Sequence, residues 1–226
     1  MRLKMRYILI IIFVELLCSC SAPKGERILV LGDSNGAASH GWVGQLQKLR
    51  PRDIFCNLSI YGNTIGFDNL DLDTLNTLRN IESYLRRANE QMGGIDRILI
   101  WLGSNDCKAV FAARQEEIPV NLGLLLGLIR DKANMDKTKR ILFIAPSPMA
   151  EDSLMEEKYH GGRKRLKQLI PMFKEVVDKH HCSFLNLHDS LWTDYAKLNS
   201  DGVHLTKDGA CRAASIINQY LNNNFP

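Results

Sequence analysis

Arg27-Ile28-Leu29-Val30-Leu31-Gly32-Asp33-Ser34-Asn35-Gly36 passes from a run of apolar residues directly into a glycine-bracketed turn. The apolar residues do not alternate with polar ones, which is the pattern of a parallel strand buried on both faces. Similar runs recur at 54–59, 97–102, 140–145 and 183–187. Amphipathic stretches separate them. The clearest starts near Arg163 and sets Leu166, Leu169, Ile170, Phe173, Val176 and Val177 on one face. Another covers 207–222, with Ala210, Ala213, Ala214, Ile217 and Leu221 along its buried side. Strands alternating with helices predict a three-layer α/β/α sandwich around a central five-stranded parallel sheet. Ligands of such folds bind beyond the carboxyl ends of the strands, so the residues following each run carry the functional information.

The 226 residues, 45% hydrophobic and 24% charged, suit one domain with a sizeable core and exclude a disordered chain. A formal charge of +4 is too small and too evenly spread to point to a nucleic-acid partner. Six cysteines in a chain this long do not make a disulfide-stapled miniature. The first residues are read apart from the fold. Arg2, Lys4 and Arg6 precede an apolar run over 7–17, interrupted by Glu15 and too short to span a bilayer. The run ends in Leu17-Cys18-Ser19-Cys20, which resembles the lipobox of a bacterial lipoprotein, and Cys20 fits the lipidated position because the small Ser19 precedes it. The reading is a signal peptide over 1–19, a tether over 20–26 and a domain over 27–226. The protein is then exported and lipid-anchored to a bacterial membrane, on the periplasmic or cell-surface side. Removal of 1–19 takes away three basic residues and Glu15, and so halves the formal charge. Cys56, Cys107, Cys182 and Cys211 remain, as disulfides or as buried thiols.

Four polar blocks sit at strand ends or ahead of a helix: Gly32-Asp33-Ser34, Asn57-Leu58-Ser59-Ile60-Tyr61-Gly62-Asn63-Thr64, Gly103-Ser104-Asn105-Asp106 and Asp201-Gly202-Val203-His204. Neither a phosphate-binding loop nor a dinucleotide fingerprint is present. Gly32-x-Ser34-x-Gly36 matches the nucleophile elbow in letters, but an elbow follows a central strand well into the chain, not the first strand of the domain. Singly, each block has a plain structural reading: Ser34 as a helix cap, Gly62 as a turn, Asn105 as a loop amide, Asp201-Gly202 as a turn and His204 as a surface histidine. Together they supply a hydroxyl, a base, a carboxylate and polar donors, the parts of an acyl-transfer site.

In order and spacing these blocks resemble the SGNH (GDSL-type) hydrolase family over nearly the whole mature chain. Asn35, Asn105-Asp106-x-Lys108-x-x-Phe111 and Ala145-Pro146-x-Pro148 are similar to its arylesterase and acyltransferase branch. The resemblance implies a flavodoxin-like fold, Ser34 as nucleophile, His204 as base and Asp201 as the carboxylate that orients it. It implies an oxyanion hole from the backbone N–H groups of Ser34 and Gly62 and the side-chain amide of Asn105, with no cofactor and no metal. The implied substrate is a small-molecule or glycan acyl ester with a short acyl group, O-acetylated carbohydrates included. Lysophospholipase or thioesterase action is the enzymatic alternative, and a catalytically silent glycan-binding protein the non-enzymatic one. The oligomeric state is open.

Asp33 and Asp106 read as loop supports. His180-His181-Cys182 lacks a second ligand pair for a metal. Gly123-x-x-x-Gly127 reads as close helix–sheet packing, and Arg163-Lys164-Arg165 with Lys167 as a solvated face. The resemblance to the arylesterase branch implies that His160-Gly161-Gly162 lies in a loop near the site rim, where its glycines permit movement. In a bacterial host the mature protein begins at a lipid-modified Cys20 and fractionates with membranes, and Cys20→Ser moves it to the soluble fraction. Mass spectrometry showing an unmodified, soluble wild type overturns this.

Overall fold

The computed structural model describes residues 25–133 and 140–225. The signal peptide, Cys20 and the first part of the tether lie outside the described residues. In chain order the elements are β1 (Arg27–Gly32), α1 (Ser34–Ala37), α2 (Trp42–Leu49), β2 (Ile54–Asn57), α3 (Thr77–Met92), β3 (Arg97–Trp101), α4 (Glu117–Lys132), β4 (Ile141–Ile144), α5 (Gly162–Lys179), β5 (Ser183–Leu185), α6 (Leu187–Leu191), α7 (Tyr195–Leu198) and α8 (Lys207–Asn224). The strands form one parallel sheet in the order β2-β1-β3-β4-β5. Helices α2 and α8 pack together in one outer layer, and α3, α4 and α5 in the other. This is the three-layer sandwich that the alternating runs predict.

The apolar runs become strands because both faces of the sheet are covered. Leu29, Val30, Leu99, Ile100, Leu142 and Phe143 are fully buried. On α5, Leu166, Leu169, Ile170, Phe173 and Val177 are buried and Val176 is half-buried, and every predicted inner residue of α8 is buried. Two strands stop earlier than their apolar runs. Leu58 still donates to Val30 O, but Asn57 Oδ1 then accepts the Ser59 N–H at 3.1 Å and ends β2. Asn186 Oδ1 accepts the Asp189 N–H at 3.1 Å, so Leu187 opens α6 instead of extending β5.

Three local readings change. Gly123 and Gly127 face the end of α5, where a Cβ at 123 would lie 3.4 Å from His180 Nε2. The small residues therefore serve helix–helix packing, with the imidazole filling the space. The basic cluster is only partly solvated: Arg163 pairs with Glu151 and stacks on Trp192 at 4.8 Å, and Arg165 donates to Cys107 O at 2.9 Å. Cys56, Cys107, Cys182 and Cys211 are all free thiols, the first three buried.

The sheet reverses its direction of growth between β1 and β3, since β2 lies beyond β1 while β4 and β5 lie beyond β3. Gly32 and Trp101 are register partners at the carboxyl ends of these two strands. Loops leaving this switch point diverge and open a crevice. Gly32 fits closely there: a Cβ would come within 2.5 Å of Ser59 Oγ and displace that side chain. The core makes a simple prediction. Leu99→Ala, at a fully buried position in β3, costs about 2–5 kcal/mol in denaturant unfolding. Leu124→Ala, on the exposed side of α4, stays within about 0.5 kcal/mol.

Candidate active site

Ser34 is the first residue of α1, one residue past β1 and Asp33. Asp33 caps the short helix by accepting the Asn35 N–H at 2.9 Å, which holds Ser34 at the crevice floor with only 6% of its surface exposed. Asp201 and His204 lie in the loop before α8. The His204 Nε2 atom is 2.9 Å from Ser34 Oγ, and Nδ1 is 2.7 Å from Asp201 Oδ2. Asp201 Oδ1 accepts the backbone N–H groups of His204 at 2.8 Å and Val203 at 3.0 Å. A carboxylate, an imidazole and a hydroxyl thus form one hydrogen-bonded line spanning 170 residues of sequence.

Asn35 keeps that line in register. Its Oδ1 accepts the Leu205 N–H at 2.8 Å and its Nδ2 donates to Val203 O at 3.4 Å, so one amide grips the backbone on both sides of His204. Gly62 and Asn105 stand across the crevice. Gly62 has φ 83°, a left-handed conformation that suits glycine, and its carbonyl accepts Asn69 Nδ2 at 2.6 Å. Asn63 Nδ2 donates to Gly32 O at 3.1 Å, and Asn105 Nδ2 donates to Asn63 O at 3.0 Å. These bonds tie the loops after β1, β2 and β3 into one wall. All five residues singled out by the sequence therefore meet at one end of the sheet.

The carboxyls near the site fall into two groups. Desolvation pushes Asp201 upward, but the His204 N–H, the His204 ring and the Val203 N–H outweigh it and hold the group below the ordinary carboxylate range. Asp33 and Asp106 are buried. Desolvation raises Asp33 to about 6, against the pull of the Asn35 N–H, the Ser104 side chain and the charge of His204. Desolvation raises Asp106 to about 7, against the N–H groups of Ile65 and Gly66, with the charge of Asp33 adding to the rise. Asp106 accepts the Ile65 N–H at 3.0 Å through Oδ1 and 3.2 Å through Oδ2, which fits its reading as a loop support.

A cleft of about 460 Å³ opens beside Asp201, lined in part by Met149, Leu154, Arg163, Trp192 and Tyr195. It shares Asp201 with the hydrogen-bonded line, but Ser34 and His204 do not line it. Among the described residues no cluster of His, Cys, Asp and Glu has the makings of a metal site. Within His160-Gly161-Gly162 the histidine is exposed, but both glycines are held. The Gly161 N–H donates to Asp152 Oδ1 at 2.8 Å, and Gly162 is buried at the start of α5. Its neighbour Tyr159 reaches Asn105, a contact that nothing in the sequence signals.

The family model for GDSL-like lipases and acylhydrolases matches residues 30–211. The chain belongs to that family. It is accordingly an acylhydrolase, a carboxylic ester hydrolase. No curated protein matches it in sequence. Similar solved structures include a carbohydrate acetylesterase from Sinorhizobium meliloti, 23% identical with a TM-score of 0.69 over 88% of this chain and 99% of that one. An aryl esterase from M. smegmatis is 20% identical, with a TM-score of 0.69 over 88% of this chain and 99% of its own. A lipase/acylhydrolase from Enterococcus faecalis is 20% identical, with a TM-score of 0.63 over 87% and 96%. At such identities the likeness is one of fold, and the GDSL-like acylhydrolase fold is what these proteins share with the chain.

The buried carboxyls give this acylhydrolase an unusual pH response. Asp33 and Asp106 bind their protons more tightly in the folded protein than in the unfolded chain, where an aspartate titrates near 3.8. Their contribution to stability is complete below that value and is lost as pH rises through about 6 and 7. Over that window the melting temperature of Asp106→Asn falls less than that of the wild type. Parallel melting profiles for the two proteins are the contrary result.

Proposed function

We propose that the chain is a serine esterase that removes short acyl groups through an acyl-enzyme, with Ser34, His204 and Asp201 as its catalytic line. The reading is carried by the continuous contacts from Asp201 Oδ2 to His204 Nδ1 and from His204 Nε2 to Ser34 Oγ. A serine hydroxyl is a weak nucleophile until a base removes its proton. His204 Nε2 accepts that proton as Ser34 Oγ attacks the ester carbonyl, and Asp201 holds the ring in the tautomer with Nδ1 protonated and stabilises the imidazolium. The tetrahedral oxyanion receives hydrogen bonds from the Ser34 and Gly62 N–H groups and from Asn105 Nδ2. His204 returns its proton to the departing alcohol. Water, or a second alcohol, then gives up a proton to His204 as it attacks the acyl carbon, and His204 passes that proton to Ser34 Oγ as the acyl group leaves.

Carbohydrate O-acetyl groups are the substrates we favour, and the similarity in fold to a carbohydrate acetylesterase supports that choice. One observation favours the longer-chain alternative, lysophospholipase or thioesterase action: the cleft beside Asp201 is walled largely by apolar side chains such as Met149, Leu154 and Trp192. We further propose export and membrane anchoring through Cys20.

A serine-directed fluorophosphonate labels the wild type and fails to label Ser34→Ala, and Ser34→Ala loses hydrolysis of p-nitrophenyl acetate. Asn105→Ala lowers turnover by roughly a hundredfold or more, the usual effect of removing one oxyanion donor. A chain-length series of p-nitrophenyl esters peaks at the short acyl groups, and an optimum at long chains selects the alternative. A folded wild type that neither labels nor hydrolyses any activated ester refutes the esterase reading.

A further inference from the structure

Tyr159 belongs to none of the four sequence blocks. It lies between β4 and α5, 54 residues from Asn105, and its side chain is buried. Its hydroxyl is 3.0 Å from Asn105 Oδ1. The far end of the asparagine settles the direction of that bond. Nδ2 is 3.0 Å from the carbonyl of Asn63, and a carbonyl can only accept. Oδ1 therefore faces Tyr159 and accepts from its O–H. One of the two Nδ2 protons is committed to Asn63, and the other is left for a ligand. The phenol remains a donor, because burial, followed by the charges of Asp33, Asp201 and Glu156, raises its pKa above the ordinary tyrosine value.

The surroundings of the ring hold this arrangement. The buried Lys108 ammonium lies 5.6 Å from the ring centroid and donates to Asn69 Oδ1 at 3.3 Å. Asn69 in turn donates to Gly62 O. The same small patch of side chains thus backs both of the loops that carry the proposed oxyanion donors.

We propose that Tyr159 is a positioning residue for the oxyanion-binding amide: its O–H fixes the orientation of the Asn105 side chain and strengthens Nδ2 as a donor. Resting on the role proposed above for Asn105, the physical case has two parts. Rotation of the amide by half a turn exchanges Oδ1 and Nδ2 and sets an electron-rich oxygen against the developing oxyanion. The bonds from Tyr159 and to Asn63 both oppose that rotation. Donation into Oδ1 also withdraws charge from the amide nitrogen, so the remaining N–H becomes the stronger donor. The oxyanion exists only near the transition state, so the effect belongs to kcat and not to KM.

The test is a double-mutant cycle on p-nitrophenyl acetate with Tyr159→Phe, Asn105→Ala and the double variant, with melting temperatures alongside. Tyr159→Phe keeps the ring and its packing. Its kcat falls by roughly tenfold while KM stays within about twofold. In the Asn105→Ala background the same change has no further effect, because Tyr159 acts through Asn105. Inhibition by phenylboronic acid, whose tetrahedral adduct on Ser34 mimics the oxyanion, weakens in Tyr159→Phe by the same factor as kcat. This ratio of inhibition to turnover is compared even where the variant melts early, since a general loss of structure lowers the active fraction and leaves the inhibition constant alone. Independent, additive losses overturn the proposal, as does a fall in kcat without weaker boronate binding. A slow Asn105→Ala beside a Tyr159→Phe of full activity refutes the role of Tyr159 and spares that of Asn105. An Asn105→Ala with wild-type kcat refutes both, while loss of labelling in Ser34→Ala still upholds the esterase.

Discussion

Gly32 and Trp101 end neighbouring parallel strands side by side, and the sheet grows away from them in opposite directions. Everything at the site depends on that register. The loop after β1 brings Ser34, the loop after β3 brings Asn105, and the crevice between them exists because no crossover connection covers the switch point. The constraint is steric as well as topological. Gly32 lies so close to Ser59 that an added Cβ would come within 2.5 Å of its Oγ and force that side chain to move. The stacked rings of Trp42 and Trp101, with centroids 5.3 Å apart, hold the floor beneath from the α2 side.

On this frame the site is assembled by hydrogen bonds between segments remote in sequence. The contact of His204 with Ser34 spans 170 residues and is one bond of modest worth by itself. It is kept in place because Asn35 grips the backbone before and after His204, while Asp201 binds both the ring and the N–H of the same residue. On the opposite wall Asn63 joins Gly32 to Asn105. These amides tie the crevice loops to one another, and such fixed positions suit the groups proposed above to stabilise charge.

Burial sorts the carboxyls of the site into two kinds. Asp201 has its side chain 45% exposed and three hydrogen-bond donors around it, which favours the ionised form needed beside an imidazole. Asp33 and Asp106 have almost no exposure, and the same residue type there is driven toward the neutral acid. Their N–H donors offset only part of the desolvation. Position alone separates the catalytic candidate from the two loop supports.

Much of this was legible in the residues. A strand covered on both faces must be apolar along its length, so the five runs announced the sheet, and the 3.6-residue spacing of Leu166, Leu169, Ile170 and Phe173 announced α5. Ester chemistry needs a hydroxyl, an imidazole, a carboxylate and donors, and Ser34, His204, Asp201, Gly62 and Asn105 stood in recognisable blocks. β2 and β5 stop short of their apolar runs because Asn57 and Asn186 divert the backbone through their own side chains. The packing of Gly123 against His180 and the contact of Tyr159 with Asn105 join segments dozens of residues apart, and the ion pair of Arg163 with Glu151 closes a loop of 12. Local periodicities and the inventory of reactive groups are written in the residues themselves, because neither needs a partner distant in the chain. Which asparagine clamps the histidine, which tyrosine orients the amide and which carboxyls titrate above their ordinary range emerge from the folded chain. Those outcomes follow from strand register and burial, and neither is set by neighbours along the chain.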